Sequence, residues 1–325
     1  MMPSFNPAGE EFLVVARQGI EASGAVDALD SLGWWDLLTH LDDPEMRMAV
    51  FAFFRAQGGA LGNSSALGGL LAQPFLTAVG LAPGDAVATI LRDRRRADPI
   101  HVVVGDPAGK PLLIDLPGRG AALIDLDQVE LHSIDIPGYL QLSHTQVQSA
   151  ARRTTIPEEL AVSARIRSLT LGRLAIAMEI LGAAERVLEI ATEYATDRDQ
   201  FGRPIGSFQA VRHLLAWGRT DCIAIEAVAH NAIRLDEAAP PDFIHVLKAL
   251  AGRNGRRTCE RSLQVLGGIG FTTEHDHHHF HSRILALDAL LGTSAELTYQ
   301  LGANLRETGV HPGFPAAVLL PASGS

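Results

Sequence analysis

The chain has 325 residues, 47% of them apolar and 20% charged, a composition typical of globular proteins with a sizeable core rather than of disordered ones. Its formal net charge of −10 argues against nucleic acid as the main partner, because phosphate binding needs a basic face. The N-terminal sequence lacks the regions of a signal peptide and no apolar run reaches the roughly 18 residues that span a bilayer, so we expect a cytoplasmic protein.

The first half of the chain divides into two zones of different periodicity. Apolar residues recur every three or four positions in Glu10–Ile20 and Met46–Phe54, and predict an N-terminal helical domain over residues 1–81. From residue 82, short runs rich in β-branched residues are separated by turn signals such as Asp-Pro-Ala-Gly at 106–109. These runs predict a small antiparallel β-domain over residues 82–157.

Helical spacing returns over residues 158–308 and predicts a bundle of four antiparallel helices joined by short loops. Ser207 is the expected N-cap of the second helix and Asp242 that of the third. The fourth helix is expected over Leu285–Leu305, and residues 309–325 are expected to form an irregular tail. The predicted fold class is therefore α+β, with an N-terminal helical domain, a small antiparallel β middle domain and a C-terminal four-helix bundle.

A distinctive segment follows the long first helix of this bundle. It reads Arg-Asp-Gln-Phe-Gly-Arg-Pro-Ile-Gly-Ser-Phe-Gln over residues 198–209. Arg198, at a helix end, can clamp pyrophosphate oxygens in a bidentate way that lysine cannot match. Gln209 lies near the next helix N-terminus, where free backbone N–H groups favour anions. The alternative is a surface arginine that caps the last carbonyls of its own helix.

A second motif begins 55 residues after Gln209, where Gln264-Val-Leu-Gly-Gly-Ile-Gly-Phe271 ends the third helix. Its glycines permit positive φ and close approach of a ligand, although a plain helix C-cap also explains such a loop. The two motifs together resemble the C-terminal half of acyl-CoA dehydrogenases. Leu290-Leu-Gly-Thr-Ser294 is also similar to that family, and the resemblance covers residues 160–305 closely.

The resemblance implies FAD as cofactor and α,β-dehydrogenation of an acyl-CoA as the reaction, with electron-transferring flavoprotein as the electron acceptor. In the family, both motifs reach across a subunit interface to the ADP portion of a flavin that the neighbouring subunit mainly holds. The residues implied as FAD contacts are Arg198, Phe201, Gln209, Gln264, Gly267, Gly268 and Thr293.

The catalytic base of the family is missing from both positions where its members carry it. The glutamate that precedes the Gly-Thr of the last motif is Leu291 here, and the one that precedes an arginine early in the long helix is Gly172. Asp288 is the substitute considered near the first position. Residues 82–157 also lack the Thr-Glu-Pro…Gly-Ser-Asp and Trp-Ile-Thr segments that cradle the isoalloxazine ring in the family.

These absences imply the accessory, base-lacking subunit of a bacterial heterotetrameric acyl-CoA dehydrogenase, whose related partner supplies the glutamate. Several such pairs act on CoA thioesters of steroid side chains. Two alternatives remain open at this point. One is a self-sufficient homo-oligomer with a relocated base, either Asp288 or Glu179, and the other is a non-catalytic structural or CoA-binding module.

The cysteines and a histidine-rich segment favour structural roles. Cys222 and Cys259 fall in predicted helices and are expected to be reduced core thiols. The histidines of the segment are His275, His277, His278, His279 and His281. His277 and His281 have the i, i+4 spacing of metal ligands, but the family has a similar loop without metal. We therefore expect packing or interface roles and no metal site.

Overall fold

A computed structural model describes residues 7–92, 100–136, 138–146, 154–239 and 241–309. The expected irregular tail lies outside these ranges apart from its first residue. None of the helices in these ranges combines the length and the apolar character that crossing a bilayer requires.

Four helices form the N-terminal part: α1 (Pro7–Ser31), α2 (Trp34–Leu37), α3 (Pro44–Gly59) and α4 (Ala66–Ala78). The start of α3 is fixed by Asp43, whose carboxylate accepts from the N–H groups of the first turn at 2.7 and 3.3 Å. Trp34 is fully buried, with its ring centroid 5.1 and 5.6 Å from those of Phe53 and Phe54. This aromatic cluster ties α2 to α3.

In the described part of the β-domain, eight short strands form two four-stranded sheets, ordered β1-β4-β5-β8 and β2-β3-β7-β6. Their bounds are β1 Val87–Ala88, β2 Ile90–Arg92, β3 Ile100–Val104, β4 Leu112–Leu116, β5 Gly120–Ile124, β6 His132–Ile134, β7 Leu142–Thr145 and β8 Thr154–Ile156. Pairing is antiparallel, as predicted, except that β1 runs parallel to β4. Val103 of one sheet packs with Leu112 and Ile114 of the other, so the two sheets share a small core.

The C-terminal part contains five helices where the sequence predicted four. They are α5 Glu158–Asp197, α6 Gln209–Leu235, α7 Pro241–Leu266, α8 His277–Ala289 and α9 Ser294–Thr308, with a short β9–β10 hairpin (Asp199–Gln200 and Arg203–Pro204) between α5 and α6. The helix expected over Leu285–Leu305 was wrong, because Leu291 and Gly292 have φ of +55° and +101° and interrupt it.

Two predicted helix caps were also wrong. Ser207 lies before the N-cap Phe208 of α6, and its hydroxyl donates to the carbonyl of Pro204 at 2.7 Å. Asp242 lies inside the first turn of α7 rather than before it. The Asp242 carboxylate therefore stabilises α7 through the positive end of the helix dipole and does not act as its N-cap.

α5 crosses α3 at backbone contact distance, and this crossing sets the position of the central helix. A Cβ atom at Gly182 of α5 would lie 1.8 Å from the carbonyl oxygen of Arg55, and one at Gly58 of α3 would lie 1.9 Å from that of Glu179. Only glycine fits at such a crossing. One hydrophobic core extends from α1 to α8. The division of the chain into domains stays a prediction.

Candidate functional site

The two predicted cofactor motifs lie at one end of the C-terminal bundle. The α5 C-terminus and the α7 C-terminus meet there in a small apolar cluster around Ala191, Ala195, Val265 and Leu266. Ile205, from the turn that precedes α6, packs on the same cluster. The segment 198–209 and the loop 264–271 are therefore held side by side by the ends of three helices, and we call this surface the bundle end.

Arg198 is the C-cap residue of α5, and its backbone N–H donates to the carbonyl of Tyr194 at 2.9 Å. Its side chain is exposed, and it makes no ion pair with any residue that the structure describes. The side chain therefore does not cap its own helix, and its guanidinium is available to an anion. Three residues on, Phe201 is 92% exposed with φ of +56°, a conformation that costs energy for a side chain of this size.

Gln209 is the first residue of α6 and is exposed. No side chain caps the N-terminus of this helix, so its first N–H groups face outward unsatisfied by side-chain acceptors. Arg203 of the hairpin stacks on Phe208, with its guanidinium carbon 4.3 Å from the ring centroid. The N-terminus of α6 and the arginine stacked on Phe208 give the bundle end a cationic and partly apolar surface.

The glycine loop completes the bundle end. Gln264 and Gly268 are exposed, Gly267 has φ of +63°, and a Cβ at either glycine would meet no atom within 4 Å. Its glycines are thus not required by packing against this chain, which leaves their backbone open to a ligand or a neighbouring subunit. Phe271 beyond them is 76% exposed.

Thr293, the seventh predicted contact, lies elsewhere. It is the N-cap of α9, in a capping box in which it donates to Glu296 and accepts from the Glu296 N–H. Gly292, the residue before Thr293, accepts a hydrogen bond from Lys248 of α7 through its carbonyl. Gln264 lies 16 residues after Lys248 in the same helix, a distance of roughly 24 Å at the helical rise per residue. The structure therefore brings six of the seven residues together and leaves Thr293 at a different surface.

That surface is a cleft of about 680 Å³ between α4, the β-domain, α5 and the α8–α9 turn. Of the two family base positions, Leu291 lies on the wall of this cleft, and Gly172 is buried next to the Leu291 side chain. A Cβ at Gly172 would lie 2.6 Å from a Leu291 methyl and 2.5 Å from a methyl of Leu71. Leu291 thus occupies the space next to Gly172, and the cleft presents hydrocarbon at position 291.

Asp288 does not line this cleft. Its carboxylate accepts from Lys248 at 3.3 Å and from both the N–H and the hydroxyl of Ser294, at 3.1 and 3.0 Å. Lys248 is fully buried, and burial, countered by Asp288, lowers the pKa of its amine to about 8. The geometry makes Asp288 a structural residue of the α8–α9 turn.

The histidine segment packs locally. His277 is buried, and its Nε2 lies 2.8 Å from the carbonyl oxygen of Cys259, while His278 contacts the carbonyl of His275 at 2.8 Å. Burial lowers the pKa of His277. Among the described residues no group of three or more His, Cys, Asp or Glu is arranged to hold a metal ion. Cys222 and Cys259 are buried free thiols, as predicted.

Arg173 is the residue that sequence reasoning missed. It lines the cleft, donates through Nε to the carbonyl of Leu291 at 3.0 Å, and contacts Nε2 of His245 through Nη1 at 2.9 Å. Burial lowers the pKa of its guanidinium below the ordinary value. The only sequence signal was its place directly after Gly172, which did not reveal the long-range contact with the α8–α9 turn.

The acyl-CoA dehydrogenase C-terminal domain family matches residues 162–305. Curated relatives from Mycobacterium tuberculosis include the acyl-CoA dehydrogenase FadE27, 32% identical over 71% of this chain and 60% of the relative, and the acyl-CoA dehydrogenase IpdE2, 35% identical over 41% of each. FadE34, an acyl-CoA dehydrogenase of the same organism, is 34% identical over 46% of this chain and 23% of its own length. The chain thus spans less than two thirds of each of these relatives.

Solved structures share the fold across nearly the whole chain. A chain of the ChsE4-ChsE5 complex from Mycobacterium tuberculosis superposes with a TM-score of 0.70 at 21% identity, covering 94% of this chain and 99% of its own. A chain of the Tcur3481-Tcur3483 steroid acyl-CoA dehydrogenase, in its G363A variant, gives 0.72 at 20% identity, covering 93% and 98%. At such identities the likeness shows the fold alone, and it confirms the predicted α+β class.

Proposed function

This chain belongs to the acyl-CoA dehydrogenase family, and from that premise we propose that it is the base-lacking subunit of a heterotetrameric, flavin-dependent acyl-CoA dehydrogenase. In this proposal a related partner subunit supplies the glutamate that removes the α-proton. This chain supplies the contacts to the ADP portion of FAD across the subunit interface. Electron-transferring flavoprotein is the proposed electron acceptor, and the site of action is proposed to be the cytoplasm.

One observation carries the proposal: neither position where the family keeps its base, 291 on the wall of the cleft and 172 buried next to it, holds a carboxylate. Leu291 and Gly172 pack against each other there. The two acids that do line the cleft are engaged, since Asp115 pairs with Arg165 at 2.8 Å and Glu296 closes the capping box of α9. Dehydrogenation of an acyl thioester requires a positioned base, and the described residues of the cleft wall do not offer one.

The residues of the bundle end fit the ADP portion of FAD. The unpaired guanidinium of Arg198 can bind two pyrophosphate oxygens, and the exposed amides of Gln209 and Gln264 can donate and accept hydrogen bonds. The open backbone at Gly267 and Gly268 permits close approach of the dinucleotide. The chemistry that FAD supplies when bound is acceptance of the β-hydride from the acyl-CoA.

A self-sufficient enzyme with a relocated base fits the geometry less well. Glu179 is 2% exposed and ion-paired with Arg283, and Asp288 is turned away from the cleft toward Lys248 and Ser294. Neither carboxylate reaches the cleft wall. A non-catalytic module is disfavoured by the exposed arginine and glutamines of the bundle end, for which packing gives no reason.

The proposed substrate is an acyl-CoA, with a steroid side-chain thioester as the finer proposal. Its support is the likeness in fold to a chain of a steroid acyl-CoA dehydrogenase that contains two different gene products. No side chain of the described cleft reads a ring system specifically, so the acyl group is proposed by analogy of fold.

The test is the flavin stoichiometry from visible absorbance, measured on the chain alone and co-purified with the acyl-CoA dehydrogenase-like protein encoded nearest to it. We expect no flavin alone and about one flavin per two chains in the complex. Arg198→Gln should lower flavin retention in the complex, whereas Arg186→Gln, on the same helix and paired only with glutamates, should not. One flavin per chain in the protein alone would overturn the proposal.

A further inference from the structure

Four charged side chains among the described residues line the cleft, and three of them are satisfied by other groups of this chain. Arg165 is shared between Asp115, at 2.8 Å, and Glu158, which it binds through two nitrogens at 3.0 and 3.1 Å. Glu296 accepts from the N–H and the hydroxyl of Thr293 at the N-terminus of α9, at 2.9 and 3.0 Å. These groups need no ligand to balance their charge.

Arg173 is the exception. Its two hydrogen-bond partners are the carbonyl of Leu291 and a ring nitrogen of His245, and neither is a carboxylate. Within the described part of the chain no carboxylate lies at ion-pair distance from it, and burial alone shifts its pKa, with no opposing contribution from an acid. The neighbouring cation Lys248 is already paired with Asp288. A partly buried guanidinium without an anion is costly, and a bound anion would relieve that cost.

Apolar side chains form a large part of the cleft wall around this guanidinium. They include Leu71, Phe75, Ile90, Leu113, Leu291 and Leu297. The volume of about 680 Å³ falls in the range of small-molecule sites, which typically enclose roughly 300–1,000 Å³. A cleft with apolar side chains and one guanidinium that lacks a carboxylate partner suits a ligand with one planar anionic group on an apolar body.

We propose that this cleft is a binding site for a carboxylic acid with an apolar body, whose carboxylate pairs with Arg173 beside Leu291. In such a complex the apolar body lies against α4 and the β-domain, and the carboxylate occupies the neighbourhood of the missing base. The site belongs to this chain alone and needs neither flavin nor a partner subunit. Its failure and that of the proposed function therefore show in different measurements.

The experiment is isothermal titration calorimetry of the full chain with octanoate and with octan-1-ol, which share the apolar body and differ in charge. The variants are Arg173→Gln, whose amide can still donate to the Leu291 carbonyl, and Leu291→Glu, which adds a carboxylate beside Arg173. Arg256→Gln, an exposed arginine of α7, is the matched control. Thermal melts verify that each variant is folded.

Octanoate should bind the wild-type chain and the Arg256→Gln control on the order of tenfold to hundredfold more tightly than octan-1-ol, the worth of a charge-assisted hydrogen bond. Arg173→Gln should abolish this preference, and Leu291→Glu should abolish octanoate binding by supplying the anion internally. The proposal is overturned if neither probe saturates the protein at millimolar concentration, or if both bind equally. It is also overturned if a folded Arg173→Gln or Leu291→Glu variant keeps the preference for octanoate.

Discussion

The buried ion pair between Glu179 of α5 and Arg283 of α8 should be the most strongly coupled pair of side chains in the protein. Both side chains are almost fully buried, at 2% and 0% exposure. Arg283 donates to the carboxylate through Nε at 3.0 Å and through Nη2, and its remaining donors reach the carbonyls of Gly62 and Tyr139. Gln57 donates to the other carboxylate oxygen at 3.2 Å. The network thus joins α3, α5, α8 and the β-domain.

The magnitude follows from leaving one charge buried without its partner. Glu179→Leu and Arg283→Met should each lower the free energy of unfolding by about 3–5 kcal/mol. The double variant leaves no unpaired charge. Its main defect is that the carbonyls of Gly62 and Tyr139 lose the hydrogen bonds that Arg283 donates. It should therefore cost no more than Arg283→Met alone, which gives a coupling energy of at least about 3 kcal/mol instead of additivity.

The assay is urea unfolding followed by far-ultraviolet circular dichroism, with linear extrapolation to water for the wild type, both single variants and the double variant. The surface pair Arg256 and Glu260 of α7, at i, i+4 and more than half exposed, is the control cycle. Its coupling should not exceed about 0.5 kcal/mol. If the buried cycle were additive to within about 1 kcal/mol, the reasoning about Glu179 would be refuted, and its role as a relocated base would reopen.

Two further effects on stability are expected. Gly182→Ala should lower the free energy of unfolding in urea by at least about 3 kcal/mol, because its Cβ would overlap a backbone oxygen. Gly302→Ala in α9, where a Cβ meets no atom, should raise it by about 0.5–1 kcal/mol. Equal effects of the two substitutions would contradict the close crossing of α5 and α3. Burial lowers the pKa of His101 to about 4, whereas its pKa in the unfolded chain is about 6.5. The buried neutral imidazole therefore leaves the free energy of unfolding undiminished above about pH 6.5, and this free energy should fall by up to about 3 kcal/mol as the pH drops towards 4. His101→Gln should remove this component, and urea midpoints with the same pH dependence in both proteins would contradict it.

The helices and the fold class could be predicted because they follow local periodicity. Apolar residues at i, i+3 and i+4 predict the long α5 and the further helices after the β-domain. The division of α8 from α9 could have been recognised from Gly292 and from the Thr293-x-x-Glu296 capping box, both visible in the sequence. It was missed because Leu290 and Leu291 continue the apolar pattern across the break.

Strand pairing and the cleft could not be predicted, because both depend on contacts between distant segments. The parallel pairing of β1 with β4 joins Val87 to Leu112, and no local signal marks it. The importance of Arg173 depends on the Leu291 carbonyl, 118 residues away in the chain. By contrast, the residues of the bundle end lie within two continuous motifs, and therefore only their proximity needed the structure.

The packing around Gly172 and Leu291 explains why neither position readily holds a catalytic carboxylate. A glutamate at 172 would bring its Cβ to 2.5 Å from Leu71 and 2.6 Å from Leu291, so this position cannot regain an acid unless both leucines move. A glutamate at 291 is sterically easier, because a side chain of similar length already lies there. Its carboxylate, however, would meet apolar neighbours on one side and Arg173 on the other, and an ion pair with that guanidinium would lower its basicity. The packing around both positions thus opposes a working base at either of them.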